Sequence, residues 1–122
     1  MMINNFEQIM GIIAELQKLA QEVFCNINIV SIRKNKKIIT ILYEMKPKID
    51  ILYRLYELSY SEFHENDKDY KFENSIAYLR THTNVLIYLL KSRKAEPTDI
   101  YNLSFWIYTG LTTAYNILMY PE

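Results

Sequence analysis

The sequence predicts a single, mostly α (α+β) domain over residues 1–122: four helices, with one small antiparallel β-hairpin between the first and the second. Three observations carry this expectation. Apolar residues recur at steps of three and four over four long stretches, as a helix with one buried face requires. Glycine (2) and proline (3) are scarce, so little interrupts those stretches. Between the first and second stretches the pattern changes to β-branched runs around a lysine-rich turn.

The first helix is expected from Asn4 to Phe24. Phe6, Ile9, Ile13, Leu16, Ala20 and Val23 form its stripe, while Glu7, Gln8, Glu15, Lys18 and Glu22 hold the wet side. Asn4 with Glu7 three residues on resembles a capping box. Met10, Ile12, Leu19 and Phe24 widen the apolar face, so this helix should meet more than one neighbour.

The hairpin is expected at about 27–44. Ile27–Arg33 and Ile38–Glu44 flank Lys34-Asn35-Lys36-Lys37, and Asn35 can take the positive φ of a tight turn. Pairing Ile32 with Ile39 and Val30 with Ile41 puts four aliphatics on one face. The rival reading of this segment is a short helix from Lys37 to Met45. Pro47 then marks a boundary, and a second helix runs from Lys48 to about His64 on the stripe Leu52, Leu55, Tyr56, Ser59, Tyr60 and Phe63. The charged run Glu65–Asp69 reads as a loop. A third helix extends from about Asp69–Phe72 to Arg93 on Phe72, Ile76, Leu79, Thr83, Leu86 and Leu90.

Glu96-Pro97-Thr98-Asp99 starts the last helix, with Thr98 or Asp99 suited to cap it. Ile100–Pro121 then runs twenty-two residues without a formal charge. Ile100, Leu103, Ile107, Gly110, Leu111, Ala114 and Leu118 share one face, where Gly110 and Ala114 would admit a close neighbour. Asn102, Phe105, Trp106, Thr109, Thr112, Thr113, Asn116 and Tyr120 lie on or beside the other. A transmembrane helix fits the length but not the Ser, Thr, Asn and Tyr content. A central helix packed all round by its own chain is the plainest reading. Its rival puts one face in the home core and the other in an interface, where charge is depleted and aromatic residues are enriched.

Composition sets the outer limits. A chain of 122 residues can bury roughly two thirds of its unfolded surface and needs neither metal nor disulfide to fold. Fourteen basic and fourteen acidic residues cancel, so nothing draws the whole molecule to nucleic acid or an anionic membrane. The lone Cys25 cannot form an internal disulfide, and Met1–Glu7 lacks a basic signal-peptide start. A cytoplasmic protein is expected. Richness in Ile, Lys, Asn and Tyr, whose codons are A+T-rich, hints at a low-GC bacterium, its phage or a similar element.

Candidate sites are few. Arg33, Lys34, Lys36 and Lys37 crowd the expected hairpin tip and could meet phosphates or an acidic partner, although solvated lysines also guard strand edges. The stretch holding Glu62, His64, Glu65, Asp67, Asp69 and Glu73 could be imagined as a metal site. Lys71, however, stands where a calcium loop wants oxygen, and the glycine is missing. His82 reads as a partly buried structural residue and Cys25 as a small core residue. An enzyme would need His82 or His64 united with a carboxylate and a hydroxyl. Eleven tyrosines suit an interface, though A+T-rich coding accounts for part of the excess.

No stretch matches a motif that names a family. The sequence points to a small non-enzymatic protein acting by protein–protein binding, of inhibitor, immunity or adaptor type. A phage or mobile-element inhibitor of a bacterial defence complex is one such category. Asn102, Phe105, Trp106, Thr109, Thr113 and Asn116 are the expected partner-binding residues, and a second copy of the chain is among the partners considered. The alternative is a nucleic-acid-binding accessory protein using the basic tip. No catalytic residues, metal, cofactor or membrane partner are expected.

Overall fold

Four apolar stripes turn inward to make one core. The computed structural model describes residues 3, 5–27, 35–92 and 96–120. They form α1 (Phe6–Asn26), α2 (Asn35–Leu58), α3 (Tyr60–Glu65), α4 (Asp69–Ser92) and α5 (Pro97–Met119). The long helices pack in a ring, α1 on α2, α2 on α4, α4 on α5 and α5 back on α1. Specific contacts fix their directions. Asn5 reaches Ser59 and Glu15 pairs with Lys48, so α1 and α2 are antiparallel. Asp50 meets Arg80, and Tyr56 meets Glu73, so α2 and α4 are antiparallel too. Trp106 lies against His82, and Leu118 accepts from Lys68 just before α4, which sets α5 against α4. The result is an up-down-up-down bundle. The α4–α5 side lies opposite the α1–α2 side.

The expected hairpin does not survive. There is no strand among the described residues, and Asn35–Glu44 is the first half of α2. The first expected strand falls largely on residues 28–34, outside the described residues. Read with helical spacing, Ile38, Ile41, Leu42, Met45, Ile49, Leu52 and Tyr56 form one buried stripe running straight through Pro47. Magnitudes explain why period beats propensity. Each β-branched residue gives up at most about 0.7 kcal/mol in a helix, whereas each buried aliphatic gains about 1.5–3 kcal/mol. Pro47 is exposed, about 180° from the buried stripe. Its ring and the Tyr43 carbonyl it leaves without a donor therefore face water rather than the core.

Other boundaries also shift. The expected 48–64 helix breaks at buried Ser59, whose N–H donates to the Leu55 and Tyr56 carbonyls before α3 turns off. The capping box at Asn4 is not formed. Asn5 is the N-cap residue of α1, with φ 60° and no side-chain cap bond, and its amide donates to Ser59 Oγ at 3.4 Å instead. The last helix likewise starts from Glu96, with Pro97 in its first turn and no side-chain cap. After α3, Asp67 sits at φ 55°, with Asp67 N–H on His64 O and Lys68 N–H on Phe63 O. That is a Schellman ending with aspartate in the glycine position.

Candidate functional site

α5 is not packed all round. It buries Leu103, Ile107, Leu111, Ala114 and Leu118, while Asn102, Phe105, Trp106, Thr113 and Asn116 are exposed and Thr109 is half-buried. Trp106 keeps 50% and Phe105 45% of its surface in water. The expected close approach at Gly110 is absent too, since a Cβ there would meet nothing within 4 Å.

The outward face is less polar than its threonines suggest. Thr109 Oγ1 donates to Trp106 O at 3.2 Å, Thr112 to Tyr108 O at 3.2 Å and Thr113 to Thr109 O at 2.9 Å. With the protons turned onto the helix, what remains outward is methyl groups and oxygen lone pairs. Such a surface loses little when a partner removes its water.

Two aromatic groups flank it. Toward α1, the Phe24 ring lies 5.4 Å from Tyr101, 6.4 Å from Phe105 and 6.5 Å from Tyr108. The three α5 residues are spaced four and three apart, which places them on one flank of the helix. Toward α4, His82 lies 5.4 Å from Trp106 and stacks on Tyr78 at 6.1 Å. His82 Nδ1 is buried without a hydrogen-bond partner among the described residues, and desolvation holds the imidazole below its ordinary pKa. At neutral pH the ring is uncharged.

This contact extends the neutral surface onto α4, which the sequence reading missed. Between Glu73 and Lys91 the only formal charge is Arg80. Its guanidinium bonds Asp50 at 2.7 Å and lies 3.9 Å from the Tyr53 ring, both on α2. Glu73 meets Tyr56, and Lys91 lies 4.8 Å from the Tyr43 ring, again on α2. Asp69 is held from the α3 side. The charges between Glu73 and Lys91 are thus drawn toward α2, leaving His82 against Trp106 with Tyr78 stacked on it, while exposed Lys71, seven residues before Tyr78, marks the charged end of this flank. The charges near α5 lie at its ends: Asp99 in the first turn and Lys68 Nζ, 3.5 Å from Leu118 O, both suited to the macrodipole.

No family model, curated protein or solved structure matches this chain. The surface must be read on its own chemistry.

The other candidates gather less. Lys36 and Lys37 are exposed in the first turn of α2 rather than on a hairpin tip, and Arg33 and Lys34 lie outside the described residues. Cys25 is exposed, not a core residue. His64 does find a carboxylate and a hydroxyl: its Nδ1 is 3.1 Å from Asp69 Oδ2, the same oxygen that accepts from Tyr60 at 3.3 Å. Tyr60 therefore spends its proton on the carboxylate rather than on the imidazole, and the His64 side chain is 68% exposed. The cluster ties α3 to the start of α4. Among the described residues no group of three or more His, Cys, Asp or Glu is gathered to hold a metal ion. A cavity of about 220 Å³ lies between α2 and α4, lined by Lys46, Ile49, Asp50, Arg80, Thr83 and Asn84. Its arginine is already committed to Asp50. No helix among the described residues is long and apolar enough to cross a membrane.

Proposed function

We propose that this chain is a small cytosolic interaction protein that acts by protein–protein binding through the α4–α5 face, in the manner of an inhibitor, immunity or adaptor protein. The observation that carries the reading is the half-exposed Trp106. It sits on neutral His82, where α5 carries no charge from Ile100 onward and the one charge of α4 between Glu73 and Lys91, Arg80, is turned toward α2. Exposed tryptophan and tyrosine within a charge-depleted patch is the composition of an interface core. Asn102 and Asn116 supply the directional hydrogen bonds such a contact needs at its rim.

Photo-crosslinking in the native host tests this. A crosslinking residue at Thr113 should give a discrete protein adduct, and one at Lys18 on the charged side of α1 should not. Equal labelling at both positions, or none at Thr113, rejects the reading. A phage inhibitor of a defence complex remains one category consistent with this mode of action, and the adduct's identity would decide it.

A further inference from the structure

We propose that His82 makes the Trp106 surface pH-responsive: a partner is held while the imidazole is neutral and let go when the ring takes a proton. This regulation rests on the binding face proposed above.

Geometry comes first. The His82 ring has two aromatic neighbours, stacked on Tyr78 of its own helix at 6.1 Å and tilted against Trp106 of α5 at 5.4 Å. Its Nδ1 is buried, with no hydrogen-bond partner among the described residues. A neutral imidazole can leave that nitrogen unprotonated, whereas an imidazolium carries an N–H on both nitrogens. Protonation therefore places a donor where nothing accepts, and the ring regains a partner only by turning out to water. Trp106 rests on that ring, so the turn removes part of its support.

The surroundings offer no counter-charge. On α4, Arg80 is bonded to Asp50 of α2, and exposed Lys71 lies eleven residues before His82, about 16 Å along the helix. On α5 there is no charged residue from Ile100 to Met119. Its Tyr101 and Tyr108 lie toward Phe24 on the α1 flank, and Tyr115 packs on the core. Of the two rings in contact with His82, only Tyr78 can titrate. Desolvation alone lowers the His82 pKa, and no carboxylate raises it.

Binding and proton release are then coupled. Half-buried in the free chain, His82 keeps some of its water. A partner seated on Trp106 removes more, which penalises the charged form further. The faces of Trp106 and Tyr78 attract a cation, but they supply no acceptor for its N–H groups. Whatever binds the neutral form better expels the proton, and by linkage the proton expels it. Affinity is thus full above the His82 pKa of the free chain and falls as pH drops through it, by up to about tenfold per pH unit.

Trp106 is the only tryptophan of the chain, so its emission reports on this pair, because an imidazolium quenches an indole beside it. Emission of the full chain should fall on acidification with a midpoint below the ordinary histidine value of about 6.5. The step should vanish in His82→Phe and His82→Gln, with circular dichroism confirming that both are folded. The Thr113 crosslink, repeated in host lysate at about pH 7.5 and about pH 5, should lose most of its adduct at the lower pH in the wild-type background. In His82→Gln the two pH values should give equal yields, whatever their level. A wild-type chain without the emission step overturns the proposal, as does a step that persists in both folded variants. So does an adduct that is indifferent to pH in the wild-type background, or one lost in acid from His82→Gln as well; either leaves the binding face standing. Absence of the adduct at both pH values rejects the face itself, and its regulation with it.

Discussion

The two histidines sit in opposite electrostatic settings, and each makes a separate prediction. The Asp69 carboxylate bonds to His64 and raises its pKa, whereas desolvation lowers that of His82. In a proton NMR titration the two ring signals should move at different pH, His64 above the ordinary value of about 6.5 and His82 below it. The linkage to stability follows in opposite directions. His64 contributes stability that is complete below its unfolded pKa and is lost as pH rises through its raised folded value. His82 contributes stability present above its unfolded pKa and lost as pH falls through its lowered folded value. His64→Gln should therefore flatten the stability profile above the ordinary value of about 6.5. His82→Phe should flatten the acid side and, by removing a buried nitrogen without a partner, stabilise the fold by about 1 kcal/mol. Denaturant melts across pH read both effects. Equal acid sensitivity in wild type and His82→Phe would show that the ring is not desolvated.

At the scale of single helices, α1, α4 and α5 were legible because their stripes follow one period from end to end: Ile9 to Val23, Phe72 to Leu90, Leu103 to Leu118. α2 was not, because two local signals cut it in half. Ile38–Ile41 favours strand taken alone, and Pro47 is a strong breaker in any short window. Both are overruled by a buried stripe that becomes visible only when the wheel is drawn through the proline. Such compromises leave stability unclaimed. Pro47→Ala restores a donor for the Tyr43 carbonyl and should stabilise the fold by about 1–3 kcal/mol. Gly11→Ala and Gly110→Ala meet open space, and each should add about 1 kcal/mol. Melts at one fixed protein concentration check all three, since association would add its own contribution. Loss of stability at Gly110→Ala would mean that a neighbour touches the bare glycine.

At the scale of the molecule, the bundle sorts its charge. The α1–α2 side carries Glu15, Lys18, Glu22, Lys36, Lys37, Glu44, Lys46 and Lys48, whereas the opposite α4–α5 side carries no charge from Ile100 to Met119 and has Lys71 toward its edge. Half of this was legible: the uncharged run of α5 is plain in the sequence, and its six expected binding residues do lie on or beside its outward side. The α4 half was hidden, because Arg80 interrupts the run and only its bond to Asp50 shows which way it turns. Trp106 on His82, and Phe24 on Tyr101 and Phe105, join residues too far apart in sequence for periodicity to pair them. Sorting of this kind fixes how binding should respond to salt. Contact through exposed Lys36 and Lys37 would release counterions, and its affinity would fall steeply with ionic strength. Contact centred on Trp106 moves no charge out of water, so screening has little to act on. The dissociation constant of the assembled state should change by less than about twofold between roughly 50 and 200 mM salt, where a basic patch would lose orders of magnitude. A steep loss of affinity over that range would move the working surface to the basic start of α2 and leave Trp106 a bystander.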